Sequence, residues 1–287
     1  MRIGVLADVH GNLTALQAII RDLKKQGIDE YIIAGDLIAD CAQPNEVLSF
    51  IQSLKATVIK GNREDYVLKF LNGEHEEWNQ YEQMASVTWT AKTLTKENIE
   101  YLKGLSSLGV VSCGDYGDIC VVHGSPFHIS EHLYENIQQD RLLEAVLACQ
   151  SEVLICGHSH CPWKKKLNQT LILNPGAAGV HFNKHSGAEY AILNFEEGEW
   201  QASHHVALYS IEDFKQTMIQ SSLYGVAPTW ARLIMQSIEE GFNANLNFLQ
   251  TFESTDFNNN GLIENQIWNQ HALKWFTSEI NDDHGNS

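Results

Sequence analysis

Leu154-Ile155-Cys156-Gly157-His158-Ser159-His160 is the stretch whose reading decides the fold. An apolar run stops at a glycine and is followed by two histidines one residue apart, the pattern of a buried strand handing side chains to its C-terminal loop. Towards the N-terminus the same grammar recurs. Met1 to His10 closes with Asp8-Val9-His10, Tyr31 to Asp36 with Gly35-Asp36, Thr57 to Asn62 with Gly61-Asn62-Arg63-Glu64, and Ile119 to Gly124 with His123-Gly124. Every ending carries a side chain able to ligate a metal. In α/β sheets, sites collect beyond the carboxyl ends of the strands, so these endings predict one shared site. Singly, each has an ordinary explanation as a helix cap, a turn or a helix end. Jointly, that explanation needs five unrelated turn signals, each directly after a Val/Ile/Leu-rich run.

The order of elements around these endings predicts an α/β fold. Leu13 to Lys25 has Leu13, Leu16, Ile19, Ile20 and Leu23 at helical spacing, and Pro44 to Leu54 repeats the pattern with Val47, Leu48 and Ile51, giving a βαβαβ start. From Glu64 to Leu105 the chain is polar, mostly helical and aromatic-containing; residues 64–108 read as a helical insertion, either a cap over the site or a packed outer pair of helices. Strands are expected at Gly109 to Cys113, Asp118 to His123, Val153 to Gly157, Lys165 to Leu173, Ala188 to Phe195 and Trp200 to Val206, with one helix at Leu142 to Cys149. Two face-to-face sheets with helices outside is the economical arrangement. The expected division is a core domain over 1–208 and a helical C-terminal appendage over 209–287, where Trp230, Leu233, Ile234, Ile238, Phe242, Leu246 and Leu249 form one stripe. Asp256 to Ile263 imitates the front of a calcium loop, but Ile267 stands where a bidentate Glu is required, so a polar turn is expected. Asn281 to Ser287 reads as disordered.

Composition bounds the function. A chain of 287 residues with 44% hydrophobic content can bury a sizeable core. No apolar run reaches membrane-spanning length, and Met1 to Asp8 reads as a first strand rather than a signal peptide. The six cysteines form no C-x-x-C pair and suit buried, reduced thiols, which points to the cytoplasm. A formal charge of −17 argues against a nucleic-acid surface, because phosphate neutralisation needs clustered Lys and Arg. A small anionic substrate would then need a local cation, which a bound metal supplies.

The candidate ligands are Asp8, His10, Asp36, Asn62, His123, His158 and His160. Asp, Asn and His suit hard-to-borderline divalent ions, and the absence of cysteine argues against structural zinc. Seven side chains exceed what one ion needs. Two ions about 3.5–4 Å apart, bridged by a carboxylate, would use them all and would suit phosphoester hydrolysis.

In this order the motifs Asp8-x-His10, Gly35-Asp36, Gly61-Asn62-Arg63-Glu64, His123-Gly124 and Gly157-His158-Ser159-His160 resemble the signature of the calcineurin-like metallophosphoesterases, over roughly residues 1–206. The compact start and the Asn174-Pro175-Gly176 turn resemble the small bacterial phosphodiesterase branch, and the overall pattern resembles streptococcal-type diadenosine polyphosphate hydrolases. The resemblance implies a four-layer α/β/β/α sandwich. It places Asp8, His10, Asp36 and His160 around one metal, and Asp36, Asn62, His123 and His158 around the other, with Asp36 as the bridge. It implies in-line attack on phosphorus by a metal-bridging hydroxide, with manganese or iron as the expected pair and zinc as a third option. Asp36, Asn62 and Arg63 are the residues expected to carry catalysis.

Arg63 departs from the pattern, since many relatives have a histidine after Gly-Asn that contacts the phosphate and protonates the leaving group. A guanidinium is no useful acid near neutral pH, but it can brace phosphate oxygens. The expected substrates are therefore activated phosphodiesters and phosphoanhydrides such as ATP and diadenosine tetraphosphate, with no membrane or stable nucleic-acid partner. Alternatively, Arg63 is a surface ion-pair partner of Glu64 or Asp65. Asn12 can contact phosphate or cap the Leu13 helix, the cap being preferred. Trp163, Phe127, His128 and Tyr134 can stack on a base or pack, His181 and His185 are expected to be solvated loop residues, and Lys164-Lys165-Lys166 a solvated strand edge. Two other functions stay open: a protein or small-molecule phosphomonoesterase, and a non-catalytic scaffold of the same fold.

Overall fold

Strand alternation sets the layering. The computed structural model describes residues 1–184 and 187–282. In chain order its strands and α-helices are β1 (Arg2–Leu6), α1 (Leu13–Lys25), β2 (Tyr31–Ala34), α2 (Pro44–Gln52), β3 (Ala56–Ile59), α3 (Asn62–Leu71), α4 (Ala85–Thr93), α5 (Lys96–Gly104), β4 (Leu108–Ser112), β5 (Asp118–Val122), α6 (Gln139–Cys149), β6 (Val153–Ile155), β7 (Trp163–Leu167), β8 (Thr170–Asn174), β9 (Gly187–Glu196), β10 (Glu199–Leu208), α7 (Ile211–Gln220), α8 (Ser222–Val226), α9 (Pro228–Glu240), α10 (Ala244–Leu249) and α11 (Asn265–Asp282). One sheet has the order β10-β9-β1-β2-β3 and the other β4-β5-β6-β8-β7.

Side chains on a strand alternate between faces. Ile3, Val5 and Ala7 from β1 and its exit, Ile32 and Ala34 from β2, Ile119 and Val121 from β5, Val153 and Ile155 from β6, and Leu171 and Leu173 from β8 form one buried cluster between the two sheets. The intervening residues point outward. Leu6, Tyr31 and Ile33 meet α1, α2 and the insertion helices, while Cys120, Val122, Leu154 and Ile172 meet Leu142, Ala145 and Val146 of α6. The result is the expected α/β/β/α sandwich.

Two local expectations are corrected. The run Lys165 to Leu173 is a hairpin rather than one strand: β7 and β8 pair antiparallel, and Asn168 turns the chain in the left-handed region at φ 56°. Asparagine tolerates that conformation, so a turn forms without a glycine to mark it. His181 is not solvated but fully buried, its Nε2 3.0 Å from the Tyr209 hydroxyl; His185 lies outside the described residues.

Beyond β10 the helices build their own apolar cluster around Phe214, Trp230, Leu233, Phe248 and Trp268, joined to the sandwich through Cys41 and Val180. The calcium-like segment is a polar turn in which Asn258 Oδ1 accepts from the amides of Asn260 and Leu262. Of the predicted tail, Asn281 and Asp282 continue α11, and residues 283–287 lie outside the described residues. Among the described residues no helix is long and apolar enough to cross a membrane.

Candidate metal centre

The carboxyl ends of β1, β2, β5 and β6 converge, and their backbones leave the extended region at the residues with chemistry to offer. Asp8, His10, Asp36, Asp40, His158 and His160 all have φ between 50° and 73°. Non-glycine residues rarely hold this left-handed conformation, and such strain clusters at functional sites. Close backbone approach requires the glycines beside them. A Cβ at Gly61 would fall 2.5 Å from the Asp36 amide nitrogen, and one at Gly35 would fall 2.6 Å from Gly61 N.

Glu64 locks this crossing. Fully buried, its carboxylate accepts from the amides of Asp36 (3.0 Å), Leu37 (2.8 Å), Ile38 (3.1 Å) and Gly61 (2.7 Å). It thus satisfies the N-cap amide at the start of α3 and shapes the loop that carries Asp36. Burial, with the neighbouring Asp36 charge, raises its carboxyl to about 7 against those donors.

The seven predicted side chains meet in two groups. Ligand atoms of Asp8, His10 and His160 lie within 4.8 Å of one another, as do those of Asp36, His123 and His158. Asn62 joins the second, its Oδ1 3.0 Å from His123 Nε2. Asp36 Oδ2 stands between the groups, 3.3 Å from His123 Nε2 and 3.8 Å from His10 Nε2. Asp8 Oδ1 also reaches both, at 3.5 Å from His160 Nε2 and 3.9 Å from His123 Nε2.

The donor set fits divalent cations because its lone pairs face one another. His160 Nδ1 donates to Val180 O (2.6 Å) and His123 Nδ1 to Ala34 O (2.8 Å), while His10 Nδ1 lies 3.2 Å from Asp40 Oδ2. The two carbonyls place the protons of His160 and His123 on Nδ1 and turn their bare Nε2 atoms inward, as in metal-bound histidines, and the negative charge of Asp40 beside His10 Nδ1 favours the same tautomer there. His10 Nε2 and His160 Nε2 are then two acceptors 3.1 Å apart. Such an arrangement is repulsive unless a cation, or a proton taken in its place, sits among the acceptors.

The titration behaviour of the buried groups has the same origin. Burial, with Asp36 nearby, pushes the Asp8 carboxyl up to about 7 despite His123. Burial would also raise Asp36, but His123, His10 and Arg63 hold it below the usual carboxylate range. Against burial, Asp36 and Asp8 raise His123 to about 9, whereas burial and His123 depress His158 to about 3.

Four residues near the centre escaped sequence reading. Asp40 is a buried hub: Oδ1 accepts from Trp230 Nε1 (2.8 Å) and Ser86 Oγ (2.9 Å), and Oδ2 faces His10 Nδ1 and pairs with Arg63 Nη2 (2.9 Å). Its one sequence signal is a carboxylate four residues after Asp36. The His132 ring lies 4.1 Å from the His158 ring at a tilt of 41°, and Phe182 lies 5.1 Å from that of His160 in a near-parallel stack. Trp230 reads in the sequence only as part of the apolar stripe.

Other candidates fall into place. Arg63 pairs with Asp40, while Glu64 is turned inward and Asp65 pairs with Lys69. Asn12 caps α1 by accepting from Ala15 N, and its amide donates to Gly179 O. Trp163 is buried, donating to Leu133 O; Phe127 is exposed beneath the Arg141 guanidinium. Lys164 and Lys166 sit on the edge strand β7, bonded to Ala202 O and Glu199.

A cleft of about 360 Å³ opens over the centre, lined by Arg63, His132, Tyr134, His158, His160 and Phe182 and by residues of α9 and α10. Among the described residues none of 64–108 lines it. The insertion helices instead pack outside the sandwich through Val67, Leu68, Val87 and Leu102.

Comparison with known proteins bears on the family and the fold. Residues 1–198 match the calcineurin-like phosphoesterase superfamily domain. An uncharacterized protein of Methanocaldococcus jannaschii is 26% identical over 244 residues, covering 83% of this chain and 94% of that protein. A metallophosphoesterase from Sphaerobacter thermophilus superposes with a TM-score of 0.68 at 24% identity, covering 84% of this chain and all of that one (100%). A protein from Pyrococcus horikoshii OT3 gives 0.67 at 21% identity, over 81% of this chain and 97% of its own. The domain match covers more than half of the chain: the protein belongs to the calcineurin-like phosphoesterase superfamily.

Proposed function

We propose that this chain is a dinuclear metal-dependent hydrolase of phosphodiesters and phosphoanhydrides, with nucleoside and dinucleoside polyphosphates as its substrate class. The observation that carries the reading is the convergence of inward-facing Nε2 lone pairs and carboxylate oxygens in two groups, with Asp36 between them. Asp8, His10 and His160 would hold one ion and Asn62, His123 and His158 the other, with Asp36 shared and manganese or iron the expected occupants. When bound, the ions lower the pKa of water and neutralise charge on a phosphoryl group.

The chain's own residues account for the rest. Asp40 and the carbonyls of Ala34 and Val180 fix the imidazole tautomers, and Glu64 holds the loop that presents Asp36. Arg63, on the cleft wall and only 23% exposed, offers its remaining N–H groups to phosphate oxygens. With a guanidinium following Asn62, where many relatives place histidine, the leaving group is not protonated there. Nitrophenolates and phosphate leaving groups, which depart without an acid, are favoured over alkoxides.

The test is turnover by chelator-stripped, manganese-reloaded protein of bis-nitrophenyl phosphate, ATP, diadenosine tetraphosphate and a phosphoserine peptide, with Asp36→Asn as control. The reading expects turnover of the first three, lost in the variant. Turnover of the phosphopeptide alone would make the protein a phosphomonoesterase, and no turnover with manganese, iron or zinc would make it a scaffold.

A further inference from the structure

The outer face of the second sheet holds a pair of side chains that the metal centre does not use. Cys120 sits in the middle of β5, three residues before His123, and its side chain joins the buried cluster between the sheet and α6. Cys149 is the last residue of α6 and packs against the same cluster, which includes Leu142, Ala145 and Val146. The two sulfurs are 2.6 Å apart, closer than unbonded sulfurs pack and a small side-chain rotation from the bond length of about 2.05 Å in a disulfide. No C-x-x-C spacing announces the pair. The cysteines are 29 positions apart in sequence, and the packing of α6 on β5 brings them together. Their access to solvent differs. Cys120 is 1% exposed, whereas Cys149 is half-buried and stands between the exposed residues Ala148 and Gln150 at the end of the helix. An oxidant therefore meets Cys149 first, with Cys120 directly behind it.

We propose that Cys120 and Cys149 form a reversible disulfide by exchange with a small disulfide such as oxidised glutathione. The Cys149 thiolate attacks one sulfur of the oxidant, which gives a mixed disulfide and releases one glutathione. Cys120 Sγ then attacks Cys149 Sγ and releases the second. Two protein thiols are oxidised, the small disulfide is reduced to two thiols, and the protons of the protein thiols pass to the departing glutathiones. The new bond closes residues 120–149 into a ring that contains the whole connection from β5 to α6, with His123 and the cleft residues His132 and Tyr134 on it. Tying the two ends restricts the unfolded chain and so stabilises the fold. The staple opens in a reducing thiol pool and closes in an oxidising one. It stands independently of the hydrolase reading.

The test equilibrates the reduced full chain with oxidised glutathione under native conditions, followed by peptide mapping by mass spectrometry without reductant. Cys120 should be found joined to Cys149, and dithiothreitol should reverse the link. The oxidised wild type should melt about 5 °C or more above the reduced protein. Cys149→Ser should show neither the link nor the rise, and Cys120→Ala repeats this control from the buried side. A glutathione adduct on the exposed Cys161 forms alike in wild type and variants, so it cancels in the comparison. Free thiols at both positions would overturn the staple, as would a glutathione left on Cys149 with no link to Cys120, or a melting rise of the same size in Cys149→Ser.

Discussion

Asp40→Asn is the perturbation that probes the outer support of the centre. The side chain is almost the same size, so packing is preserved, and Oδ1 can still accept from Trp230 Nε1 and Ser86 Oγ. The other oxygen becomes an NH2 group facing two donors, His10 Nδ1–H at 3.2 Å and Arg63 Nη2 at 2.9 Å. Donor now meets donor. His10 relieves the clash by moving its proton to Nε2, the atom 3.1 Å from His160 Nε2, and so loses the lone pair directed at the metal group. Among the described residues Arg63 loses its only ion-pair carboxylate at the same time. A charge-assisted hydrogen bond is worth about 1.5–3 kcal/mol, and loss of a residue supporting a metal-ligating histidine lowers affinity or activity about 10- to 100-fold. The assay is a manganese titration of activity on bis-nitrophenyl phosphate. We expect the half-saturating manganese concentration to rise at least tenfold with kcat/KM reduced, and the melting temperature of the metal-free protein to fall by several degrees as the buried Arg63 pair is lost. Metal dependence and kcat/KM both within twofold of wild type would refute the argument that Asp40 sets the His10 tautomer.

Three further outcomes follow from particular side chains. Arg63→His should flatten the dependence of rate on leaving-group pKa by raising turnover of alkyl esters relative to nitrophenyl esters; an unchanged dependence removes the leaving-group argument. Gly61→Ala drives a methyl to within 2.5 Å of the Asp36 amide nitrogen and should cost about 3 kcal/mol in urea unfolding as well as activity, and a neutral result would show that the loop can yield. Burial lowers His181 to about 4 from its ordinary 6.5, so the folded chain binds fewer protons than the unfolded one between these values. The stability this contributes is present above pH 6.5 and is lost as pH falls through 4, about 3 kcal/mol in all. His181→Gln should show a correspondingly shallower decline across that window, and an identical acid profile would place the titration elsewhere.

How much of this was legible depended on whether the signal was local. The strand endings could be read because an apolar run, a glycine and a ligand are contiguous, and the fold alone brings Asp8, Asp36, His123 and His160 together. Asp40 could not be assigned, since its partner Trp230 is 190 residues away and belongs to a helical stripe that reads as core. The left-handed backbone of Asp8, His10, Asp36 and His158 also left no mark, because these residues carry none of the glycine signal that usually announces it. The burial of His181 is hidden for a related reason: a histidine in a loop is normally wet, and the packing of Tyr209 across it makes the position dry. The C-terminal helices looked like an appendage in sequence, whereas α9 and α10 supply one wall of the cleft.

The central claim is that the two clusters hold two ions that act together through Asp36. Its most direct test is metal analysis of the purified protein after chelation and reloading with manganese, performed on the wild type and Asp36→Asn with activity on bis-nitrophenyl phosphate measured in the same samples. The account predicts two ions per wild-type chain, activity that appears with occupancy, and loss of both full occupancy and turnover in the variant. Full activity in metal-free protein, or two retained ions and unimpaired turnover in Asp36→Asn, would contradict it.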